Sequence, residues 1–206
     1  MIAVIDYGVG NLFSLQSSLK SIGCEAVVTG DEKVIAAADG ILLPGVGAFE
    51  DAAKRLRETG LAAVICRLAK EGKPLLGICL GMQLLFERSF EFGEHRGLGL
   101  LKGDIVPMAG AIPADLKIPH IGWNALRFTG ENELFRYIAD GDFVYFVHSF
   151  YATNCDDSVI ATAEYGKELT AAVAEGNIYG CQFHPEKSGA VGLNILKAFG
   201  ERSQNR

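Results

Sequence analysis

The chain has 206 residues, 49% of them hydrophobic and 21% charged, with a formal net charge of −6. That is enough apolar material for a core and a length typical of one domain. The acidic balance, with no basic run, excludes the electrostatic footprint of a nucleic-acid-binding protein, and no apolar run reaches the length of a membrane span.

Residues 2–5 form an apolar first strand. A helix is expected from Asn11, as its cap, to about residue 22, with Leu12, Leu15 and Leu19 on one face and Gly23 as the stop. Strands follow at 24–28 and 40–43, two helical segments at 48–59 and 61–71, and a strand at 74–78 with a helical pattern directly after it. Strands separated by helices argue for a parallel sheet covered on both faces, with ligands at the carboxyl ends of the strands.

From about residue 100 the pattern favours strands, at 104–107, 125–128, 143–151, 159–163, 169–174 and 178–183. Ala139-Asp140-Gly141-Asp142 and Glu175-Gly176-Asn177 are the turn signals between them. A last helix at 188–200, capped by Ser188, precedes a polar tail at 201–206. The expected fold is α/β, a single domain over 1–206. Its central, mostly parallel sheet is flanked by helices, and the second half adds antiparallel strands.

The chemistry concentrates in two places. Gly77-Ile78-Cys79-Leu80-Gly81 ends a strand and opens a helix, which is the form of a nucleophile elbow with cysteine at its tip. The sharp turn strains the backbone, so the neighbours two residues away must be small. Amides at the start of the following helix, beginning with Leu80 N–H, can hold an oxyanion. Far along the chain, Gly180-Cys181-Gln182-Phe183-His184-Pro185-Glu186 places His184 and Glu186 on one side of an extended segment. A cysteine nucleophile needs a base, and the base needs an acceptor that fixes its tautomer. Cys79, His184 and Glu186 can fill those roles.

Pro44-Gly45-Val46-Gly47 follows another strand end and offers either a plain turn or a second oxyanion donor facing the elbow. The remaining cysteines, 24, 66, 155 and 181, read as small core residues. Five scattered cysteines without a CxxC pair fit a reducing compartment, and the start of the chain carries no charged, cleavable leader, so the expected location is cytoplasmic. Cys181 and His184 could form half a zinc site, but no second pair completes it, so no metal is expected. Gly8 and Gly10 lack the third glycine of a dinucleotide fingerprint, Phe13 standing in its place, and read as a tight turn. Trp123 suits an interface or a core equally. The default for His148 is a satisfied structural histidine.

The elbow with His184-Pro185-Glu186 resembles the class I (triad) glutamine amidotransferases. Asp6-Tyr7-Gly8-Val9-Gly10-Asn11-Leu12, Pro44-Gly45-Val46-Gly47-Ala48-Phe49, Pro119-His120-Ile121-Gly122-Trp123-Asn124 and Lys187 resemble, more narrowly, the glutaminase subunits of imidazole glycerol phosphate synthase. The resemblance covers essentially the whole chain. It implies hydrolysis of glutamine to glutamate and ammonia through a γ-glutamyl thioester, without a cofactor. Cys79 would attack the carboxamide, His184 would shuttle the proton and Glu186 would orient His184. Leu80 N–H and the Gly45-Val46 region would hold the oxyanion. Gln83 would contact the substrate, and Gly47, His148 and Ser149 would line its pocket. The family often has tyrosine after His-Ser, whereas Phe150 stands here, so no phenol is available.

The resemblance also implies a partner, a cyclase subunit of (β/α)8-barrel fold in a heterodimer, with Asn11, Trp123, Asn124 and Lys187 at the interface. The barrel alone takes about 250 residues, so it would be a separate chain. The rivals are another triad glutaminase, serving anthranilate or guanylate synthesis, a free-standing cysteine hydrolase, and a non-catalytic scaffold.

Overall fold

The computed structural model describes residues 1–204. Its elements are β1 (Ile2–Ile5), α1 (Leu12–Ser21), β2 (Ala26–Thr29), α2 (Glu32–Ala37), β3 (Gly40–Gly45), α3 (Phe49–Glu58), α4 (Leu61–Lys70), β4 (Leu75–Cys79) and α5 (Leu80–Leu84). Then come β5 (Phe86–Ser89), β6 (His95–Arg96), β7 (Leu101–Pro107), β8 (His120–Ala125), β9 (Arg127–Phe128), β10 (Phe143–His148) and β11 (Phe150–Thr153). β12 (Val159–Glu164), β13 (Glu168–Glu175), β14 (Ile178–Cys181) and α6 (Gly189–Gln204) complete the order.

An eight-stranded sheet in the order β2-β1-β3-β4-β14-β13-β12-β9 is the frame. The first five strands of that order are parallel, and β13, β12 and β9 extend it antiparallel. This is the α/β arrangement expected. β1, β3 and β4 are buried along their whole length, as parallel strands covered on both faces must be. Successive side chains take opposite faces. Ile5, Ile41 and Leu43 pack with Ile35, Phe49, Leu56 and Ile65 from α2, α3 and α4. Val4, Leu42 and Leu76 pack with Leu15, Leu19, Ile195 and Phe199 from α1 and α6. Each such fully buried side chain contributes about 1.5–3 kcal/mol of transfer free energy.

The sheet order sets up the site. β4 lies between β3 and β14, so Gly45 is in register with Cys79 on one side and Cys181 with Ile78 on the other. The chain leaving β14 carries His184 to the same end of the sheet.

Several elements differ from expectation. α2 was not anticipated; Asp31 starts it by accepting from Lys33 N–H at 2.7 Å, but six residues are too few to print a helical period. β5 and β6 add a hairpin to a four-stranded sheet of order β11-β7-β5-β6. The strand expected at 143–151 is two: β10 pairs with β8 and β11 with β7, and the chain changes sheets at Ser149. Asn11 precedes α1, but its side chain makes no capping bond. The Ser188 hydroxyl donates to the His184 carbonyl and accepts from Tyr145 N–H. α6 runs into the expected polar tail, where Glu201 accepts from Tyr137 Oη at 2.7 Å; positions 205–206 of that tail lie outside the described residues. Among the described residues no helix is long and apolar enough to cross a membrane.

Candidate active site

Cys79 sits between β4 and α5 with φ 55° and ψ −113°, a conformation that costs a non-glycine residue on the order of 1–3 kcal/mol. The surrounding packing enforces it. A Cβ on Gly77 would lie 2.6 Å from the Gly81 carbonyl oxygen, one on Gly45 2.7 Å from Gly81 N, and one on Gly81 would run into the Leu43 carbonyl. The elbow glycines are there because β3, β4 and the first turn of α5 touch backbone to backbone. α5 is only five residues long. Any help it gives to negative charge therefore comes from the free N–H groups of its first turn.

His184 Nδ1 is 2.9 Å from Glu186 Oε1, and both side chains are 3% exposed. A carboxylate only accepts, so Nδ1 carries the hydrogen and Nε2 is left for the cavity that His184 shares with Cys79. The segment is not extended as expected. Pro185–Lys187 is a 3₁₀ turn, favoured by the fixed φ of proline at its first position. The turn is pinned by His184 N–H to the Tyr145 carbonyl at 2.9 Å and by the Ser188 hydroxyl to the His184 carbonyl at 2.6 Å. Burial pulls the His184 pKa down, but the hydrogen bonds and negative charge of Cys79 and Glu186 outweigh it and push the value up to about 9. The second oxygen of Glu186 is buried and has no hydrogen-bond partner among the described residues, so the imidazolium is its main compensation.

This has a measurable consequence. A pKa raised from 6.5 to about 9 stabilises the fold fully below pH 6.5, and that contribution is lost as pH rises through about 9. Denaturant titrations should therefore show the wild type losing more stability between those limits than His184→Ala. Parallel pH profiles would remove His184 as the source.

A cavity of about 630 Å³ opens at the elbow, within the range of small-ligand pockets. Val46, Gly47, Cys79, Leu80, Gln83, His148, Ser149 and His184 all line it, so the structure brings most of the expected substrate and oxyanion residues together. Gly45 lies behind them, beside a small void that also borders Asn11 and Glu186. Tyr7 holds the Pro44 carbonyl through its hydroxyl at 2.8 Å, while Val46 is 43% exposed and Gly47 has φ +91°. The Pro44 end of this segment is thus anchored, and the Val46-Gly47 end is exposed. A larger groove of about 1200 Å³, lined by Phe128, Phe135 and Arg202 among others, holds none of these groups.

Three contributors escaped the sequence reading. Gln182 is fully buried; its Oε1 accepts from Gln83 Nε2 at 2.9 Å and its Nε2 points at Cys79 Sγ at 3.8 Å. A glutamine among apolar strand residues was the available signal. Glu91 lines the cavity and takes the Phe49 N–H at 2.6 Å; nothing in its local sequence marks it. His120 joins His148 behind the pocket wall at 3.0 Å.

Of the expected interface residues, Trp123 is 54% exposed beside Ile121 and Phe143, and Lys187 stands exposed at the cavity mouth. Asn124 is half-buried, with its amide donating to the Glu164 carbonyl at 2.8 Å. Cys181 is fully buried in the apolar core rather than turned toward a metal.

The family model for class-I glutamine amidotransferases matches residues 3–201. A relative from Bacillus cereus named imidazole glycerol phosphate synthase subunit HisH is 52% identical, over 97% of this chain and 93% of its own length. One of the same name from Aquifex aeolicus is 49% identical, over 98% of this chain and 96% of its own. A crystal structure of a glutamine amidotransferase matches with a TM-score of 0.77 at 19% identity, covering 99% of this chain and 100% of that one; this likeness speaks for the fold alone. With the family matched over almost its whole length, the chain belongs to the class-I glutamine amidotransferases.

Proposed function

We propose that this chain is the glutaminase subunit of imidazole glycerol phosphate synthase. It hydrolyses L-glutamine to glutamate and ammonia. The ammonia passes to a cyclase subunit of (β/α)8-barrel fold, which makes imidazole glycerol phosphate and AICAR in histidine biosynthesis. The observation that carries the chemistry is Cys79 held at a strained elbow, in one cavity with a His184 whose Nδ1 is 2.9 Å from Glu186. The relatives named as synthase subunits, about half identical over nearly the whole chain, support the choice of pathway and partner.

In this reading Cys79 passes its thiol proton to His184 Nε2, and its Sγ attacks the carboxamide carbon. The oxyanion lies against Leu80 N–H and the Gly45-Val46 region. His184 gives its proton to the departing nitrogen, which leaves as ammonia. Water then attacks the thioester while His184 takes its proton, and glutamate leaves as the thiol is restored. Glu186 keeps His184 in the Nδ1–H form throughout. Gln83, Gly47, His148 and Ser149 shape the pocket, and the Glu91 carboxylate in its lining suits the α-ammonium of an amino-acid substrate.

The 206 residues act as one amidotransferase domain without a cofactor. The cyclase sits over the cavity mouth, against Asn11, Trp123, Asn124 and Lys187; the exposed Ile121, Trp123 and Phe143 give that surface an apolar centre. All five cysteines are free, which fits a cytoplasmic enzyme.

The test is glutamate release from glutamine by the purified chain, alone and then with the cyclase and its ribonucleotide ligand. Strong stimulation in the mixture is expected, because the half-anchored oxyanion loop needs the partner to set it. Equal rates in both would point to an independent hydrolase, and silence in both would reject the glutaminase reading.

A further inference from the structure

Two buried histidines, His148 in the pocket lining and His120 behind it, take no chemical part in the reaction above. His120 is 3% exposed and His148 6%. His148 Nδ1 is 2.8 Å from the Phe150 carbonyl oxygen. A carbonyl can only accept, so this nitrogen carries the hydrogen. Burial, helped by neighbouring His120 and His184 and opposed by the Phe150 carbonyl, pulls the His148 pKa down to about 4, so the ring is neutral and its Nε2 is a bare acceptor. His120 Nδ1 faces that Nε2 at 3.0 Å and must be the donor. Burial also lowers the His120 pKa, so its own Nε2 is an acceptor, 3.5 Å from the Asn124 amide nitrogen. The orientation of that amide is fixed independently, since its nitrogen donates to Glu164 O and its oxygen accepts from Ala125 N–H. Every hydrogen in the row is thereby assigned, and all point the same way, from β8 toward the pocket.

The row ends on an atom that matters. The Phe150 carbonyl accepts from His148 and also from Gln83 Nε2 at 3.3 Å. Gln83 is a pocket residue, and through Gln182 it is tied to the nucleophilic sulfur. His120 cannot swing away from its duty. Its ring is stacked between Phe146, 5.0 Å away, and Tyr165, 4.1 Å away, and the Tyr165 hydroxyl is held by the Lys117 carbonyl.

We propose that His120 and His148 are positioning residues of the glutaminase: two neutral imidazoles, each protonated at Nδ1 and joined end to end, that fix the Phe150 carbonyl and with it Gln83 in the wall of the glutamine pocket. The role in catalysis rests on the glutaminase reading; the tautomers do not.

The experiment has two arms. In the full chain labelled with ¹⁵N-histidine, both residues should show the Nδ1–H tautomer at neutral pH. Nε2–H forms at either position would overturn the proposal whatever the enzyme does. The second arm is His120→Phe, which keeps the stacked ring and removes the donor, leaving His148 Nε2 buried and unpaired. In complex with the cyclase, kcat/KM for glutamine should fall about tenfold, the worth of one buried hydrogen bond, chiefly through KM. Synthesis from ammonium salt should not change. His120→Asn can return an amide N–H to the Nδ1 position and should recover most of the loss. A purely structural role would lower thermal stability equally in both variants without that recovery, and full activity in a folded His120→Phe would also overturn the proposal. If His120→Phe does not fold, the labelled wild type and His120→Asn still decide it. A wild-type complex that releases no glutamate would defeat the glutaminase reading instead, with the tautomers unaffected.

Discussion

Replacing Cys79 by alanine is expected to abolish glutamine-dependent synthesis by the complex while leaving synthesis from added ammonium salt at its wild-type rate. The two halves of that outcome have separate physical causes. Without the sulfur there is no thioester and no group at the elbow tip to attack in its place, so the loss should approach the roughly 10⁶-fold seen when a triad nucleophile is removed. The fold should persist, because alanine keeps the Cβ and so bears the same strain at φ 55° that cysteine already bears. Ammonia use sits on the other subunit and needs nothing from the elbow except a closed interface. Steady-state rates with each nitrogen source measure both halves. Loss of the ammonium-dependent rate as well would mean that this chain contributes to the cyclase chemistry, against the proposed division of labour.

Gly81→Ala should be as damaging, for a reason that has nothing to do with chemistry. The added methyl would overlap the Leu43 carbonyl, and the next contacts are with backbone as well, so no side chain can rotate aside. Overpacking of this kind costs up to about 3 kcal/mol where the surroundings yield, and a backbone carbonyl inside a buried parallel strand yields little. For a chain of this size the melting temperature should fall by about 10 °C, with glutaminase activity lost even in the folded fraction because the elbow must move away from β3. Gly47→Ala is the control. Unlike Gly81 it sits at positive φ, and a Cβ there meets nothing within 4 Å, so it should cost about 1–2 kcal/mol through the backbone alone. Equal melting curves for the two variants would show that the contact with Leu43 is not what demands glycine at 81.

The elbow was legible in the sequence because a strand, two glycines and a cysteine must coincide for that turn to close. The parallel half was legible because doubly covered strands write themselves as apolar runs, IAVI and GILLPG among them. Short elements were not. α2 is hardly more than a turn and a half, and β6 is two residues, below the length at which any period can be counted. The stretch from Phe143 to Tyr151 is apolar except for His148 and Ser149, and two polar residues do not by themselves show that a strand leaves one sheet for another, as this one does at Ser149. Within the site, residues that act through the backbone or through a second side chain left the faintest trace. Gln182 and His120 matter for what they hold in place, and sequence spacing does not show that.

The crossing at Ser149 has one more consequence. β8 and β10 pair with each other as a two-stranded ribbon, with Trp123, Ile121 and Phe143 exposed on it. The strand that leaves this ribbon becomes the wall of the cavity at the elbow within three residues, His148, Ser149 and Phe150. In mechanical terms the ribbon is a handle and the pocket wall is its joint. On the proposed function, a partner gripping the tryptophan face would hold the strand that runs straight into the segment facing the substrate, so grip and fit would be properties of the same few ångströms of chain.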